Sequence, residues 1–279
     1  MGFRIMTNIS SLTAQRHMRD TRKMLDQSLD RLSSGYRINK AGDDAAGLAI
    51  SEKLTSRIRG LLQAQRNAND GVSLVQTAEG ALGEVQNILT RMSELGVQAA
   101  SDTIGPQERV YVDREYQALK QELDRITNST EFNGTHLLDG TGGILDIQIN
   151  TGGKNLLGVD RISYDAFKTD VSTDRLGIAD AQVQTKAGAQ YSLTKITKAI
   201  DYVSALRADL GVLQNRLMTV MSNIGVSVEN LGAANSRIRD VDIATESSEF
   251  TKNNVILQAG TSILQHSNSI PEMALQLLK

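Results

Sequence analysis

Residues Leu54 to Ala100 read LTSRIRGLLQAQRNANDGVSLVQTAEGALGEVQNILTRMSELGVQAA, and apolar side chains recur in this stretch every seven residues. One series consists of Leu61, Ala68, Val75, Leu82 and Leu89, and its companion consists of Ala78, Val85, Met92 and Ala99. This spacing places the side chains on one face of an α-helix, with the drift that 3.6 residues per turn produces. It predicts a helix over about 45–100, roughly 80 Å long.

The same repeat continues towards both chain ends. A second long helix is predicted over about 189–231 from the series Ile196, Val203, Leu210, Leu217 and Ile224. A shorter amphipathic helix is predicted over about 107–129, after the breaker IGPQ. In the terminal segments, Met18, Leu25 and Leu32 form one series, and Phe250, Leu257 and Leu264 form another, beside Ile256 and Ile263. Such helices need a packing partner, because an isolated apolar stripe contributes little stability.

The middle of the chain has a different composition. Glycines are frequent from Gly134 to Asp160, and Leu145, Ile147 and Ile149 alternate with polar residues. Alternation followed by the turn NTGGKN predicts a β-hairpin, within a hairpin and loop region of about 134–186. We interpret residues 160–188 as loop with at most a short strand.

Together these elements predict a mainly α protein: an elongated rod of long antiparallel, coiled-coil-like helices from both chain ends, with a small β-hairpin in the middle. Residues 1–44 with 233–279 are predicted to form a terminal coiled-coil domain with its connectors. Residues 45–232 are predicted to form a rod-like core domain, without separate outer domains. The 40% hydrophobic content suffices for a buried core, and the absence of Trp fits aliphatic helical seams.

Charge is distributed unevenly along the chain. The net charge of −2 gives no reason to expect nucleic acid binding, and no run of apolar residues predicts membrane insertion. A lipid-binding amphipathic helix is disfavoured because aromatic anchors are scarce. Residues 1–40 carry +5 and residues 240–279 carry −3. These opposite charges predict that the two terminal segments pack together, so reversing Arg19, Arg22 and Lys23 should weaken assembly at low salt.

The stretch SSGYRINKAGDDAAGLAIS, from Ser33 to Ser51, admits two interpretations. Its glycines, basic residues and paired aspartates could bind phosphate or a divalent cation. The apolar stripe of the first helix stops at Gly35, however, and a new stripe begins after Asp43 and Asp44. Gly commonly ends helices and Asp commonly caps their first turn, so we interpret the stretch as a joint between two helices.

No pattern in the chain predicts enzymatic chemistry. The chain has no cysteine, and His17, His136 and His266 are isolated from any metal-ligand spacing. No phosphate-binding loop, dinucleotide fingerprint or nucleophile elbow occurs. We therefore predict no catalytic residues, no metal and no cofactor, and we disfavour a helical enzyme.

Five motifs in order closely resemble bacterial flagellin: RLSSGYRINKAGDDAAGLAIS from Arg31, NDGVSLVQTAEGAL from Asn69, EFNGTHLLDG from Glu131, ADLGVLQNRL from Ala208 and ENLGAANSRIRDVDIATE from Glu229. The resemblance covers about 230 positions. It implies a minimal subunit, without large outer-domain insertions, that polymerises with itself into the filament used for motility. The alternative within the superfamily is a hook-filament junction protein, which typically has SDDPAGAA where this chain has GDDAAGLA.

The resemblance also implies partners and a location. The subunit would be exported unfolded through the flagellar type III apparatus with an export chaperone. It would join the filament at the distal tip, where hook-filament junction and cap proteins are its neighbours. The location would be a secreted, extracellular filament, or a periplasmic one if the source has internal flagella.

A final implication concerns the Toll-like receptor that detects flagellin. The stretch TRMSELGVQ from Thr90 resembles the recognised patch, which places Arg91, Leu95 and Gln98 in contact positions, with Glu115 from the next helix. The first three residues are spaced i, i+4, i+7 and share one helix face. An ordinary interface between subunits is the alternative role of the same surface.

Overall fold

The computed structural model describes residues 8–152 and 160–276, with side chains up to residue 269. Its helices are α1 (Ile9–Ser34), α2 (Ala45–Ala100), α3 (Pro106–Ser129), α4 (Lys186–Arg239) and α5 (Ile243–Gln276). Between α3 and α4 lie the strands β1 (Glu131–Phe132), β2 (Thr135–His136), β3 (Ile144–Gln148) and β4 (Arg161–Asp165). The predicted mainly α class, with long helices from both chain ends and a small β element in the middle, is confirmed.

The chain divides into two compact units. The terminal unit comprises Met1–Ser56 with Glu229–Lys279, and the central unit comprises Arg57–Val228, so that α2 and α4 contribute to both. The domain limits expected from the sequence, 1–44 with 233–279 and 45–232, remain a prediction. Within the described ranges, no helix has a stretch that is both long enough and apolar enough to cross a membrane.

The central unit is built on the seven-residue repeats. The core positions given above for α2 and α4 are buried, and the hydrophobic side chains that α3 buries are Tyr116 and Leu123. Burial of the phenol raises the pKa of Tyr116 to about 12. Three amphipathic helices thus bury their apolar faces against one another, as the repeat requires.

Two hairpins follow α3. The β1–β2 turn, which we did not predict, is formed by Asn133 and Gly134 at φ 51° and 76°, values that Asn-Gly pairs readily adopt. The predicted strand around Leu145 and Ile147 is β3. Its antiparallel partner β4 lies in the stretch interpreted mainly as loop. Of the predicted turn NTGGKN, residues 153–155 lie outside the described ranges.

Helix α4 continues to Arg239, past the end predicted at 231. The intervening stretch, LGAANSRIR, contains no proline, and its single Gly232 is tolerated inside a helix at modest cost. The prediction stopped at the end of the apolar repeat, whereas the helix stops only where the chain pairs with the segment after α1.

The terminal unit pairs α1 with α5 in antiparallel orientation. Near one end, the Asn8 side-chain amide donates to the Ser267 carbonyl at 2.8 Å. Near the other end, Arg31 and Glu246 form an ion pair at 3.5 Å. Midway, Gly260 leaves room for Met18, whose Cγ lies 2.9 Å from where a Cβ would stand. The two terminal helices therefore pack together, as expected from their opposite charges and their apolar stripes.

Candidate functional site

Gly35 ends α1. Its φ of 74° is the left-handed conformation that glycine adopts without strain, and its N–H donates to the Arg31 carbonyl at 2.9 Å. The Ser33–Ser51 stretch thus contains a helix stop at Gly35. From there the chain runs through a ten-residue connector before α2 begins at Ala45.

The adjacent aspartates have different roles. Asp44 Oδ1 accepts the Gly47 N–H at 2.8 Å and caps α2. Asp43 Oδ2 instead accepts the N–H groups of Asn39 and Lys40 at 3.1 and 2.9 Å, and so holds the connector itself. These hydrogen bonds, from Lys40 first and then Asn39, lower the pKa of Asp43. The sequence alone left open which of the two aspartates caps the helix.

A second connector lies between α4 and α5, and it pairs with the first, a pairing that the sequence did not predict. The Arg37 N–H donates to the Arg239 carbonyl at 2.7 Å, and the Val241 N–H donates to the Gly35 carbonyl at 3.0 Å. Asp242 then caps α5 by accepting the Ala244 N–H at 2.9 Å. The sequence signal was Asp242 itself, because Asp is a common N-cap residue and an apolar series begins directly after it at Ile243.

Arg239 joins the two connectors to the start of α2. Its guanidinium carbon lies 4.7 Å from the centre of the Tyr36 ring, and its Nη1 lies 2.7 Å from Glu52 Oε1. Arg37 adds a hydrogen bond to the Ile238 carbonyl at 2.6 Å. Hydrogen bonds, an ion pair and a cation–π contact therefore hold the chain where the terminal helices begin and end.

The α1–α5 pair leaves an open groove of about 580 Å³. Ile9 and Met18 of α1 and Ile256 and Ile263 of α5 are among its apolar lining residues. Ile9, Ile256 and Ile263 are 62, 45 and 61% exposed. The Ile256 and Ile263 series thus remains uncovered, whereas Phe250, Leu257 and Leu264 are half-buried.

The patch predicted from TRMSELGVQ is only partly exposed. Arg91 Nη2 lies 2.8 Å from Glu115 Oε1, and Arg91 Nη1 lies 2.9 Å from Glu94 Oε2, so α2 and α3 are joined at their surface. Hydrogen bonds to Glu115, and then to Glu94, raise the pKa of Arg91. Gln98 is exposed on the same helix.

Leu95 does not belong to that exposed patch, because it is only 1% exposed. It lies three residues after Met92 and four before Ala99, so it continues the buried stripe of α2. Its interpretation as a surface contact is wrong. The i, i+4, i+7 spacing puts Leu95 on one face with Arg91. The same position also continues the core series of Met92 and Ala99, and the interpretation did not take that series into account.

Nothing in the described part of the chain forms a candidate metal centre. Within residues 8–152 and 160–276, no three His, Cys, Asp or Glu side chains come together in a group that could hold a metal ion. The aspartates of the first connector accept backbone N–H groups instead. The paired connectors suit a role in holding helices together, and the open groove between α1 and α5 suits association.

Comparison with known proteins gives consistent similarities. Residues 5–142 match the family model for the bacterial flagellin N-terminal helical region, and residues 193–278 match the model for the C-terminal helical region. Flagellin of Halalkalibacterium halodurans is 43% identical over 98% of both chains, and flagellin of Bacillus subtilis is 42% identical over 99% of this chain and 100% of its own. The crystal structure of Bacillus cereus flagellin superposes with a TM-score of 0.50 at 34% identity, covering 61% of this chain and 94% of that one.

Proposed function

The chain belongs to the bacterial flagellin family and is a structural subunit of the flagellar filament, and we propose that α1 and α5 carry the contacts between subunits. The observation that carries this proposal is the apolar surface that the two helices leave uncovered after packing on each other. Ile263, Ile9 and Leu12 are each more than half exposed. Clustered apolar side chains on a surface mark an association site.

The groove between α1 and α5 is the proposed seat for apolar side chains of a second subunit. It is open to solvent and lined by both terminal helices. When a groove on one copy receives a different surface of the next, the contact is heterologous. A contact of that kind that does not close into a ring generates an open helical polymer.

Polymerisation of purified subunits tests this role. We expect Ile263→Asp to suppress filament formation, because it places a charge in the groove, and we expect Ile263→Val to assemble normally. Ile144→Asp, at an exposed apolar position of β3, is the matched control. Filaments counted by electron microscopy and sedimentation give the readout, and normal polymer from Ile263→Asp would refute the assignment.

Export and the neighbouring proteins of the filament are proposed from the family resemblance. The chain is secreted unfolded through the type III apparatus with a chaperone, and it meets the hook-filament junction and cap proteins during assembly. High identity to flagellins over nearly whole chains favours the filament subunit over the junction protein itself. The test is the amount of chain in the medium of cells with and without the export apparatus; equal amounts would contradict this route.

Recognition by the Toll-like receptor that detects flagellin is a second candidate function. Arg91, Gln98 and Glu115 are exposed and present charged and amide groups on α2 and α3. The ion pair between Arg91 and Glu115 holds both side chains in a defined arrangement, which reduces the ordering cost of binding.

A receptor-reporter assay with the intact subunit tests this candidate. Arg91→Ala and Gln98→Ala should each weaken activation, whereas Arg125→Ala, at another exposed ion-paired arginine, should leave it unchanged. Leu95→Ala is unsuitable as a probe, because Leu95 is part of the core. Activation by Arg91→Ala and Gln98→Ala at the level of the unchanged chain would remove the assignment.

A further inference from the structure

Helix α1 carries a basic ridge, defined by Arg16, Arg19, Arg22 and Lys23. All four side chains are exposed. At 100° per residue they fall within about a third of the helix circumference. Asp20 is the single carboxylate in this segment, which leaves a local net charge of +3.

In the α1–α5 register, α5 offers this ridge no counter-charges, and the nearest carboxylates in the sequence are Asp20 and Asp26 of α1 itself. Ser11 Oγ donates to Asn268 Oδ1 at 2.9 Å, and Arg31 pairs with Glu246, so the ridge lies opposite the middle of α5. That part of α5, residues 253–265, contains no charged residue. Among the described residues, no ion pair involves Arg16, Arg19, Arg22 or Lys23. The opposite charges of the chain ends are therefore out of register within one subunit.

The complementary charges lie further along the same helix pair. We define the acidic start of α5 as Asp240, Asp242, Glu246 and Glu249. Glu246 is occupied by Arg31, Asp242 caps α5, and Glu249 pairs with Lys252 at 3.2 Å within α5, but Asp240 and Glu249 are exposed to solvent. In the antiparallel register this segment lies beside the end of α1, roughly 14 residues or about 21 Å from the centre of the ridge.

We propose that the basic ridge of one copy pairs with the acidic start of α5 on a second copy, displaced by about 21 Å along the α1–α5 axis. The inference rests on self-association of the chain in the filament and adds the partner surface and the stagger. The apolar groove next to the ridge receives apolar side chains of that second copy. Apolar burial supplies attraction without fixing position, and the charge match selects one axial offset.

Salt dependence separates this contact from apolar packing. Interactions between exposed charges are largely screened beyond about 8 Å at physiological ionic strength, whereas apolar burial is not weakened by moderate salt. We expect the charge contribution to assembly to be largest at low salt and small near 0.5 M salt.

The experiment uses two variants of the full chain. The ridge variant is Arg19→Glu with Arg22→Glu, and the acidic variant is Asp240→Lys with Glu249→Lys. The acidic variant leaves the Asp242 cap and the Arg31–Glu246 pair intact and removes the exposed Glu249–Lys252 pair. At low salt each variant alone should have a critical concentration for polymerisation at least 10-fold above that of the unchanged chain. An equimolar mixture should restore polymerisation to within about threefold, because each variant then meets a complementary surface. Arg66→Glu with Arg125→Glu is the matched control for the change in net charge.

Several results would overturn the proposal. Restoration by mixing cannot come from a contact within one chain, and it also excludes misfolding as the cause of the single-variant defect. Failure of the mixture, normal assembly of the ridge variant, or an equal defect at high salt would each reject the stagger contact, while polymerisation of the unchanged chain would leave the filament function intact. Loss of binding to phosphatidylglycerol vesicles by the ridge variant, with normal assembly, would identify the ridge as a membrane contact instead.

Discussion

The guanidinium of Arg239 lies over the ring of Tyr36, 4.7 Å from its centre, although 203 positions separate the two residues in the chain. The same guanidinium pairs with Glu52 on α2. Arg239 thus connects the end of α4, the connector after α1 and the start of α2.

Truncating Tyr36 should loosen this junction. Tyr36→Ala should cost about 0.5–1 kcal/mol, the usual value of an exposed cation–π contact, whereas Tyr36→Phe should cost less. Arg239→Ala should cost more than Tyr36→Ala, because it also breaks the pair with Glu52. Hydrogen exchange at the Val241 N–H measures the loosening. Tyr111→Ala, which removes a looser contact to Arg114 at 5.7 Å within α3, is the control; equal protection of Val241 in all variants would contradict the role of Tyr36.

The two aspartates of the first connector should give separable effects. Asp44→Ala should destabilise the start of α2 by about 0.5–2 kcal/mol and expose the Gly47 N–H to exchange. Asp43→Ala should instead expose the N–H groups of Asn39 and Lys40. Asp44→Ser should retain most of the cap. Identical exchange patterns for Asp43→Ala and Asp44→Ala would show that the two roles are not distinct.

Acid should weaken both connectors. Hydrogen bonds from Thr245 lower the pKa of Asp242, and those from Lys40 and Asn39 lower that of Asp43, so the unfolded chain takes up protons first as pH falls. The stabilisation is complete above about pH 4 and is lost as pH falls through the lowered pKa values. Thermal unfolding of the subunit, followed by circular dichroism between pH 5 and 3, measures this loss of stability. Asp242→Asn, which caps without titrating, should flatten the pH dependence, and an unchanged slope in this variant would refute the linkage.

Replacing Gly71 by Ala should be less favourable for the stability of the subunit than the same change at Gly83, another helical glycine. A Cβ at Gly71 would stand 2.6 Å from Ile147 Cδ1. Gly71→Ala must therefore displace either the Ile147 side chain or strand β3. Nothing lies within 4 Å of a Cβ at Gly83, so Gly83→Ala should stabilise α2 by about 0.5–1 kcal/mol. We expect Gly71→Ala to be less stable than Gly83→Ala by about 1–3 kcal/mol. Denaturant unfolding of the subunit measures the difference, and equal stabilities would mean that β3 yields freely.

Leu95 should behave as a core residue. Leu95→Ala should lower the free energy of unfolding by about 2–5 kcal/mol, because its side chain is buried in the α2 stripe. Val97→Ala, at a neighbouring position that is 61% exposed, should change it by less than about 0.5 kcal/mol. Denaturant unfolding curves provide the comparison, and a neutral Leu95→Ala would return Leu95 to the surface patch.

Much of the architecture is determined by the sequence alone, because helical periodicity is a local property. The repeat from Leu61 to Leu89 sets both the helix and its buried face, and the alternation around Ile147 indicates a strand. Gly35 is predictable as a helix stop for the same reason, since its conformational freedom does not depend on distant residues. The motifs from Arg31 to Glu246 place the chain in its family.

Only the tertiary structure decided which charges meet. Whether Arg19 and Arg22 find carboxylates depends on the axial register of α1 on α5, and that register is set by apolar packing and by end contacts such as Asn8 with Ser267. Which hydrogen bonds Asp43 and Asp44 each accept depends on the geometry of the connector. The Tyr36–Arg239 contact depends on pairing between distant segments. Periodicity specifies the face that a helix buries, whereas contacts between distant segments specify its offset along the partner.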